Sequence, residues 1–298
     1  MMKILVTGAS GLLGTEICSQ LKASGNEVWA IDNHSRSMTI PECDKWLKID
    51  LNDYSKIESL PTDFDYIYHY SAINGTSNFY KFPNLVLKNN FISDLNVFEF
   101  AQKCKNLKKL VYASSSEIVA DDIASPIAEK TDIIIQNIHN ARWSYRLAKI
   151  TSENFLVNSA LPWVILRYFN VYGSNSKQGH FIGDQIQKIQ QGIFTVVGAQ
   201  ETRSFCFVTD AIKASIYCSE NTSKDIINIG NDREISIDAA VHTIAKEMGY
   251  PQAQFEYLPS LAGSVASRKP DISKLRKIMP DYDPIDFVTG IKKIVQKP

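Results

Sequence analysis

Short, nearly continuous apolar runs alternate with longer stretches of helical period through the first 170 residues. KILVTG (3–8), EVWAID (27–32), KWLKID (45–50), YIYHYS (66–71), KLVYASS (109–115) and WVILRYF (163–169) read as strands. Runs that are apolar almost throughout suit strands covered on both faces. Between them, residues 11–24, 84–105 and 144–159 repeat apolar positions at helical spacing. This alternation predicts an α/β fold built on a parallel, doubly wound sheet. Beyond residue 170 the pattern shortens. FTVVG and IINIG read as short strands, and 180–191, 209–219, 236–248 and 285–296 as shorter helices. The expected division is a domain over 1–170 and a smaller lobe built mainly from 171–298. Segments of the latter are free to return to the first domain, and a cleft is expected between the two.

Composition narrows the partners. The 298 residues are 44% hydrophobic, enough for a real core, and 32 basic side chains balance 32 acidic ones to zero net charge. With no long basic run, nucleic acid is not expected as a partner. Small anions stay open, because a few local donors hold them. The five cysteines (Cys18, Cys43, Cys104, Cys206, Cys218) are widely spaced and form no C-x-x-C pair. Neither a disulfide framework nor a metal site is indicated, and a reducing compartment fits best. The apolar run in MMKILVTGAS is too short for a signal peptide, and no stretch approaches the roughly 20 apolar residues that span a bilayer. The expectation is a soluble, cytoplasmic protein with no membrane partner.

VTGASGLLG places Gly8, Gly11 and Gly14 where the first strand passes into a helix. A dinucleotide loop needs one glycine for the tight turn, one for the approach of a pyrophosphate, and one for close packing of helix on strand. The helix N-terminus then offers unpaired N–H groups to the phosphates. Three glycines can also serve a turn alone, so the context matters. A second strand follows and ends in Asp32, 18 residues past Gly14, close to the spacing of an acid that binds the adenosine ribose hydroxyls. An acid there repels a 2′-phosphate, which favours NAD. His34 and Arg36 keep NADP open. Asp50-Leu51, after the third strand, suits either the adenine edge or a plain turn.

YASSSE (112–117) ends another strand, at the carboxyl edge where open α/β sheets bind ligands. Taken alone, such serines more often cap the next segment. About 30 residues later, ARWSYRLAKITSE (141–153) sets Tyr145 four residues before Lys149 on one helical face. A tyrosine of ordinary pKa, about 10, is a poor base at neutral pH. A nearby ammonium and a positive nicotinamide favour the phenolate. A surface pair is the plainer alternative. Of the thirteen tyrosines, however, only Tyr145 has lysine four residues later.

GASGLLG, Asp32, SSSE, YRLAK and LRYFNVYG (166–173) together resemble the extended short-chain dehydrogenase/reductase family, with its Rossmann domain. More narrowly they resemble its NAD-dependent nucleotide-sugar epimerases and dehydratases. ETRSFCFVTDAI (201–212), NIGNDREISI (228–237) and RKPDISKLR (268–276) extend the likeness over nearly the whole chain. The resemblance implies that Gly8, Gly11, Leu12, Leu13, Gly14, Asp32 and Asn33 hold NAD, with Asp50 and Leu51 at the adenine. Tyr70, Ser71, Ala72 and Asn90 would line the cofactor, and Tyr168 and Val171 would flank the nicotinamide. Tyr145 would be the base and Lys149 its electrostatic partner, which also bonds the nicotinamide ribose. Ser115 would hold the reacting hydroxyl, with Ser116 beside it and Glu117 as a further catalytic candidate. Asn170, Arg203 and Arg268 would face a nucleotide-diphosphate sugar, arginine being suited to phosphate. Helices 84–105 and 144–159 would pair across a homodimer.

The chain departs from the family at Ile118-Val119-Ala120, where V-Y-G is usual, and at Gly263-Ser264, where an acid often follows the glycine. Neither departure touches Tyr145 or Lys149. The shared first step is oxidation at sugar C4. A 4-epimerase is the preferred outcome, because it needs no further acid or base. Glu117 keeps a nucleotide-uronic acid decarboxylase open. A 4,6-dehydratase has only half of its Asp-Glu pair, as Ser116-Glu117, and a net 4-dehydrogenase is also possible. A dinucleotide-sensing regulator is the non-enzyme alternative, against which both Tyr145 and Lys149 argue.

Overall fold

A computed structural model describes residues 1–119, 121, 123–174, 180–260 and 264–296. Ala120 and Gly263, named above as departures, lie outside them. The described chain forms two compact units, one of 1–118, 135–167 and 212–227, the other of 119–134, 168–211 and 228–298.

The first unit carries β1 (Lys3–Thr7), α1 (Leu12–Ala23), β2 (Glu27–Asp32), β3 (Lys45–Lys48), α2 (Tyr54–Glu58), β4 (Tyr66–His69), α3 (Thr76–Lys81) and α4 (Pro83–Lys103). It continues with β5 (Lys109–Ser115), a 3₁₀ turn (Ser116–Ile118), α5 (Trp143–Val157) and β6 (Trp163–Tyr168). After β7 (Val171–Tyr172), α6 (Phe181–Gln190), β8 (Thr195–Val197), β9 (Thr202–Ser204) and β10 (Cys206–Phe207), the chain enters α7 (Val208–Asn221) and β11 (Asp225–Ile229). It ends in β12 (Glu234–Ser236), α8 (Ile237–Glu247), β13 (Glu256–Leu258), β14 (Ser267–Arg268), α9 (Ser273–Ile278) and α10 (Phe287–Val295).

Seven strands form the main sheet in the order β11-β6-β5-β4-β1-β2-β3. The pairs β1–β2, β1–β4, β2–β3 and β4–β5 are parallel, so the chain reverses direction across the sheet between β1 and β4. In open α/β sheets that reversal opens the crevice where ligands bind. The expected doubly wound sheet is present, and its six first-domain strands fall within the predicted runs. β5 and β6 are buried almost residue by residue, which is why they read as continuous apolar runs. IINIG, grouped in the sequence with the later short strands, forms β11 at the edge of this sheet. Asp225 to Ile229 lie beside β6, where their alternate apolar side chains have a sheet to cover.

One core lies in the first unit, around Leu5, Phe64, Phe98, Phe100 and Trp163. The second unit has its own, around Ile182, Phe205, Val241, Ile244 and Phe287. There, Ser236 caps α8 by accepting from the Ala239 N–H, and Asp286 caps α10 through Thr289. No helix among the described residues is long and apolar enough to cross a membrane.

Candidate active site

The turn from β1 into α1 leaves no room for side chains. Gly8 has φ of +66°, and a Cβ there would lie 2.6 Å from the Ser71 nitrogen. At Gly14 a Cβ would stand 2.2 Å from the Gly8 carbonyl oxygen. Gly11 is less tightly held, since a Cβ there would meet that same oxygen at 3.2 Å. α1 starts at Leu12, followed by Leu13, and no side chain caps its N-terminus. Asp32, closing β2, accepts from the Ser10 N–H at 3.1 Å and from the His34 N–H at 2.8 Å. Its carboxylate therefore ties the glycine loop to the second strand. Asn33 closes its own turn by accepting from Ser35. This cradle, admitting no Cβ at Gly8 or Gly14 and edged by a strand-end carboxylate, fits the pyrophosphate and ribose of a dinucleotide.

The other expected cofactor residues border the same strands. Asp50 is exposed and accepts from the backbone and side chain of Asn52, while the buried Leu51 offers its carbonyl to Asn96 at 2.7 Å. Tyr70 continues the β4–β1 ladder, donating its N–H to Thr7 at 3.2 Å. Ser71 underlies Gly8, and Ala72 packs with Phe79, Val86 and Tyr145. The amide of the buried Asn90 is engaged by Ile73, accepting its N–H at 2.7 Å and donating to its carbonyl at 3.1 Å. It fixes the loop after β4.

Tyr145 lies in the first turn of α5, buried, with its ring stacked on Phe79 at 4.8 Å. Its hydroxyl hydrogen-bonds with Ser115. Burial pushes the Tyr145 pKa far above the usual tyrosine range; the Ser115 bond and Arg36 draw it back, while Glu117 and Asp94 push it up. Tyr145 therefore needs positive charge close by before it can act as a base. One helical turn on, Lys149 is 1% exposed, with Nζ 4.4 Å from the Tyr112 ring centroid and 3.9 Å from Asp94 Oδ2. Burial lowers the Lys149 pKa, and Asp94 and Glu153 act against that.

Glu117 donates its backbone N–H to Ser115 Oγ at 3.1 Å, fixing that hydroxyl, while Ser116 is buried in the 3₁₀ turn. The Glu117 carboxylate is gripped by Arg142, with Nε to Oε2 at 2.9 Å and Nη2 to Oε1 at 2.8 Å. Arg146 adds a contact of 3.3 Å from a nearly fully buried position. Sequence reasoning gave neither arginine a role. Their spacing of four places both on one face of α5, but their partner lies 25 residues or more upstream.

Sequence reasoning also missed the group beneath Lys149. Asp94 is fully buried and accepts from His69 Nε2 at 2.8 Å, Tyr112 OH at 2.5 Å and Ser152 Oγ at 2.7 Å. His69 is fully buried with both ring nitrogens engaged, its Nδ1 lying 2.6 Å from Thr7 Oγ1. A signal existed for Asp94: it falls on the apolar face of α4, with Val86, Asn90, Val97, Phe98 and Ala101.

In the second unit, Tyr168 ends β6 and Val171 opens β7, paired with Cys206. Asn170, at φ +40°, donates to the Ser204 carbonyl at 3.1 Å. Arg203 and Arg268 are register partners on β9 and β14, so the structure sets these two expected phosphate ligands side by side. Arg268 is buried against Asp121 at 3.1 Å, and Arg203 pairs with Glu201 at 2.9 Å. Ser264 donates to the same Glu201.

Comparison with known proteins follows this layout. The family model described as "NAD dependent epimerase/dehydratase family" matches residues 4–230. The chain is 28% identical to the UDP-N-acetyl-alpha-D-glucosaminuronate decarboxylase of Bacillus cytotoxicus, over 99% of this chain and 97% of that protein. It is 28% identical to UDP-glucuronic acid decarboxylase 6 of Arabidopsis thaliana, over 93% and 83% respectively. In fold it is similar to the UDP-glucose 4-epimerase of Thermotoga maritima, with a TM-score of 0.89, 22% identity and coverage of 99% and 98%. With its glycine cradle, Asp32 and the Tyr145–Lys149 helix in place, the chain belongs to the NAD-dependent epimerase/dehydratase family, an enzyme family whose cofactor is NAD.

Proposed function

We propose that the protein is a decarboxylase of a UDP-linked hexuronic acid. The observation that carries this reading is the full-length likeness to the Bacillus cytotoxicus decarboxylase. The named sequence relatives thus move the preference from 4-epimerisation, favoured on minimum chemistry, to the decarboxylase alternative that Glu117 had kept open. The Glu117–Arg142–Arg146 cluster supports the same choice, since it sets charged groups next to Ser115 and Tyr145 that epimerisation does not require.

NAD supplies a reversible two-electron acceptor for the sugar C4. Ser115 holds the C4 hydroxyl and Tyr145 takes its proton, supported by the Lys149 ammonium, as C4 becomes a ketone. The C6 carboxylate is then β to that ketone. Its C5–C6 bond breaks, carbon dioxide departs, and the electron pair moves into the enolate of C4 and C5. A proton then enters at C5, the ketone is reduced, and Tyr145 returns its proton to the C4 oxygen. The products are a UDP-pentose and carbon dioxide, with no net redox change. Arg203 and Arg268 would hold the diphosphate. A homodimer through α4 and α5, which pack on each other, belongs to the same reading and is checked by light scattering.

The test is incubation with NAD and either UDP-glucuronate or UDP-N-acetylglucosaminuronate, each ¹³C-labelled at C6. UDP-glucose and UDP-N-acetylglucosamine serve as controls. Labelled carbon dioxide and a UDP-pentose are expected. C4-inverted hexose without carbon dioxide would return the preference to the epimerase, and lasting NADH with a keto sugar would make it a net dehydrogenase.

A further inference from the structure

Lys149 is held by a group on another helix. It projects from α5 into a site closed on several sides: Tyr112 from β5, Asp94 from α4, and Ser152 and Glu153 from its own helix. Beyond Asp94 stand His69 on β4 and Thr7 on β1. Glu153 is neutralised by Arg167 of β6, with contacts of 3.0 and 2.7 Å.

An ionised carboxylate only accepts, and Asp94 receives a Tyr112 hydroxyl and a Ser152 hydroxyl on Oδ2. His69 Nε2 faces Oδ1 at 2.8 Å, and its Nδ1 lies 2.6 Å from Thr7 Oγ1. Asp94 is the buried negative charge next to the ammonium. Burial opposes the ionisation of Asp94, but Lys149, His69 and Tyr112 together hold its carboxyl below the usual range. Three donors on one carboxylate also fix its position, since moving it would strand buried polar groups.

We propose that Asp94 is the positioning residue for Lys149: its carboxylate, anchored by His69, Tyr112 and Ser152, keeps the buried ammonium charged and in place. The arrangement sets an opposite charge beside a buried cation whose pKa burial lowers. It also links the strand that leads into the glycine cradle, through Thr7 and His69, to the helix that carries the base. The consequence for turnover rests on the proposed function; the consequence for the charge of Lys149 does not.

The test is NMR on the NAD-saturated protein labelled with ¹³C at lysine Cε and aspartate Cγ. In the wild type, Asp94 is expected to stay ionised through neutral pH and to protonate only below the ordinary carboxylate range. An Asp94 carboxyl found protonated at pH 7 overturns the proposal without any variant. In Asp94→Asn, the Lys149 titration should move down by roughly one to three units, the range for loss of an opposite charge at this distance. A shift of less than about half a unit overturns it, because a merely structural aspartate would lower stability and leave Lys149 unmoved. Wild-type turnover of the labelled uronates is read separately. Its absence would sink the decarboxylase reading and leave the NMR result standing.

Discussion

Gly8 and Gly14 are glycines because of the atoms that face them. A side chain at Gly8 would be forced into left-handed backbone and against the Ser71 nitrogen, and one at Gly14 would enter the Gly8 carbonyl. Backbone sits on both sides, so no flexible group can give way. Gly14→Ala is expected to cost about 1–3 kcal/mol, as overpacking does, and to weaken NAD binding. Thermal melts and NAD titration by calorimetry check both. Tyr145→Phe tests the other pole of the site. It keeps the ring on Phe79 and removes only the hydroxyl that meets Ser115. NAD affinity should therefore hold while turnover falls by about 10²–10⁴, the usual contribution of a positioned base. Turnover within tenfold of wild type would mean that another group takes the proton.

At the scale of elements, α5 organises the site. One helix presents Arg142 and Arg146 to Glu117, Tyr145 to Ser115, Lys149 to Asp94, and Glu153 to Arg167. The last pair is buried, at 6% and 5% side-chain exposure, and bidentate. Arg167→Met should destabilise by about 3–5 kcal/mol, because Glu153 is left charged and alone. Adding Glu153→Met should recover most of that loss, and urea unfolding of the wild type and the two variants measures it. The helix itself was legible from period alone, as were β1 to β6 and α4, since each buries a repeating apolar face. The glycine cradle and the Tyr145–Lys149 pair were legible too, because their chemistry needs fixed residue types at short spacing. What escaped were contacts across long separations: Arg142 and Arg146 with Glu117, and Asp94 with Lys149. An acid on an apolar helix face signals a buried partner but does not say which strand or helix supplies it. β9 and β14 are so short that periodicity has nothing to repeat. Arg203 and Arg268 were expected from likeness to a family, and their neighbouring register on β9 and β14 shows only in the structure.

For the whole molecule, pH separates the two units, because their buried charges differ. The first unit depends for its stability on Asp94, whose carboxyl is held below the usual range in a fully buried site. A depressed acid contributes stability above its unfolded pKa, about 3.9, and loses it as pH falls through the folded value. The depressed acids of the second unit, Glu234, Asp271 and Asp286, are mostly solvent-accessible, so water screens much of their effect. Acid should therefore loosen the first unit before the second. In alkali the sign reverses and both units respond. Burial pushes the Cys104 thiol up to about 11 in the first unit and Cys206 up to about 12 in the second. Each contributes stability below the ordinary thiol value of about 8.5 and loses it as pH rises towards the folded one. Lys149 acts in the opposite sense, since burial lowers its pKa and rising pH relieves that cost. Stability should thus peak between about pH 5 and 8. Hydrogen exchange followed from pH 7 down to pH 3, corrected for intrinsic rates, resolves the acid side. Amides of β4, α4 and β5 should lose protection before those of α8 and α10. If protection is lost everywhere at once, the units unfold as one, and Asp94 is not the group that sets the acid limit.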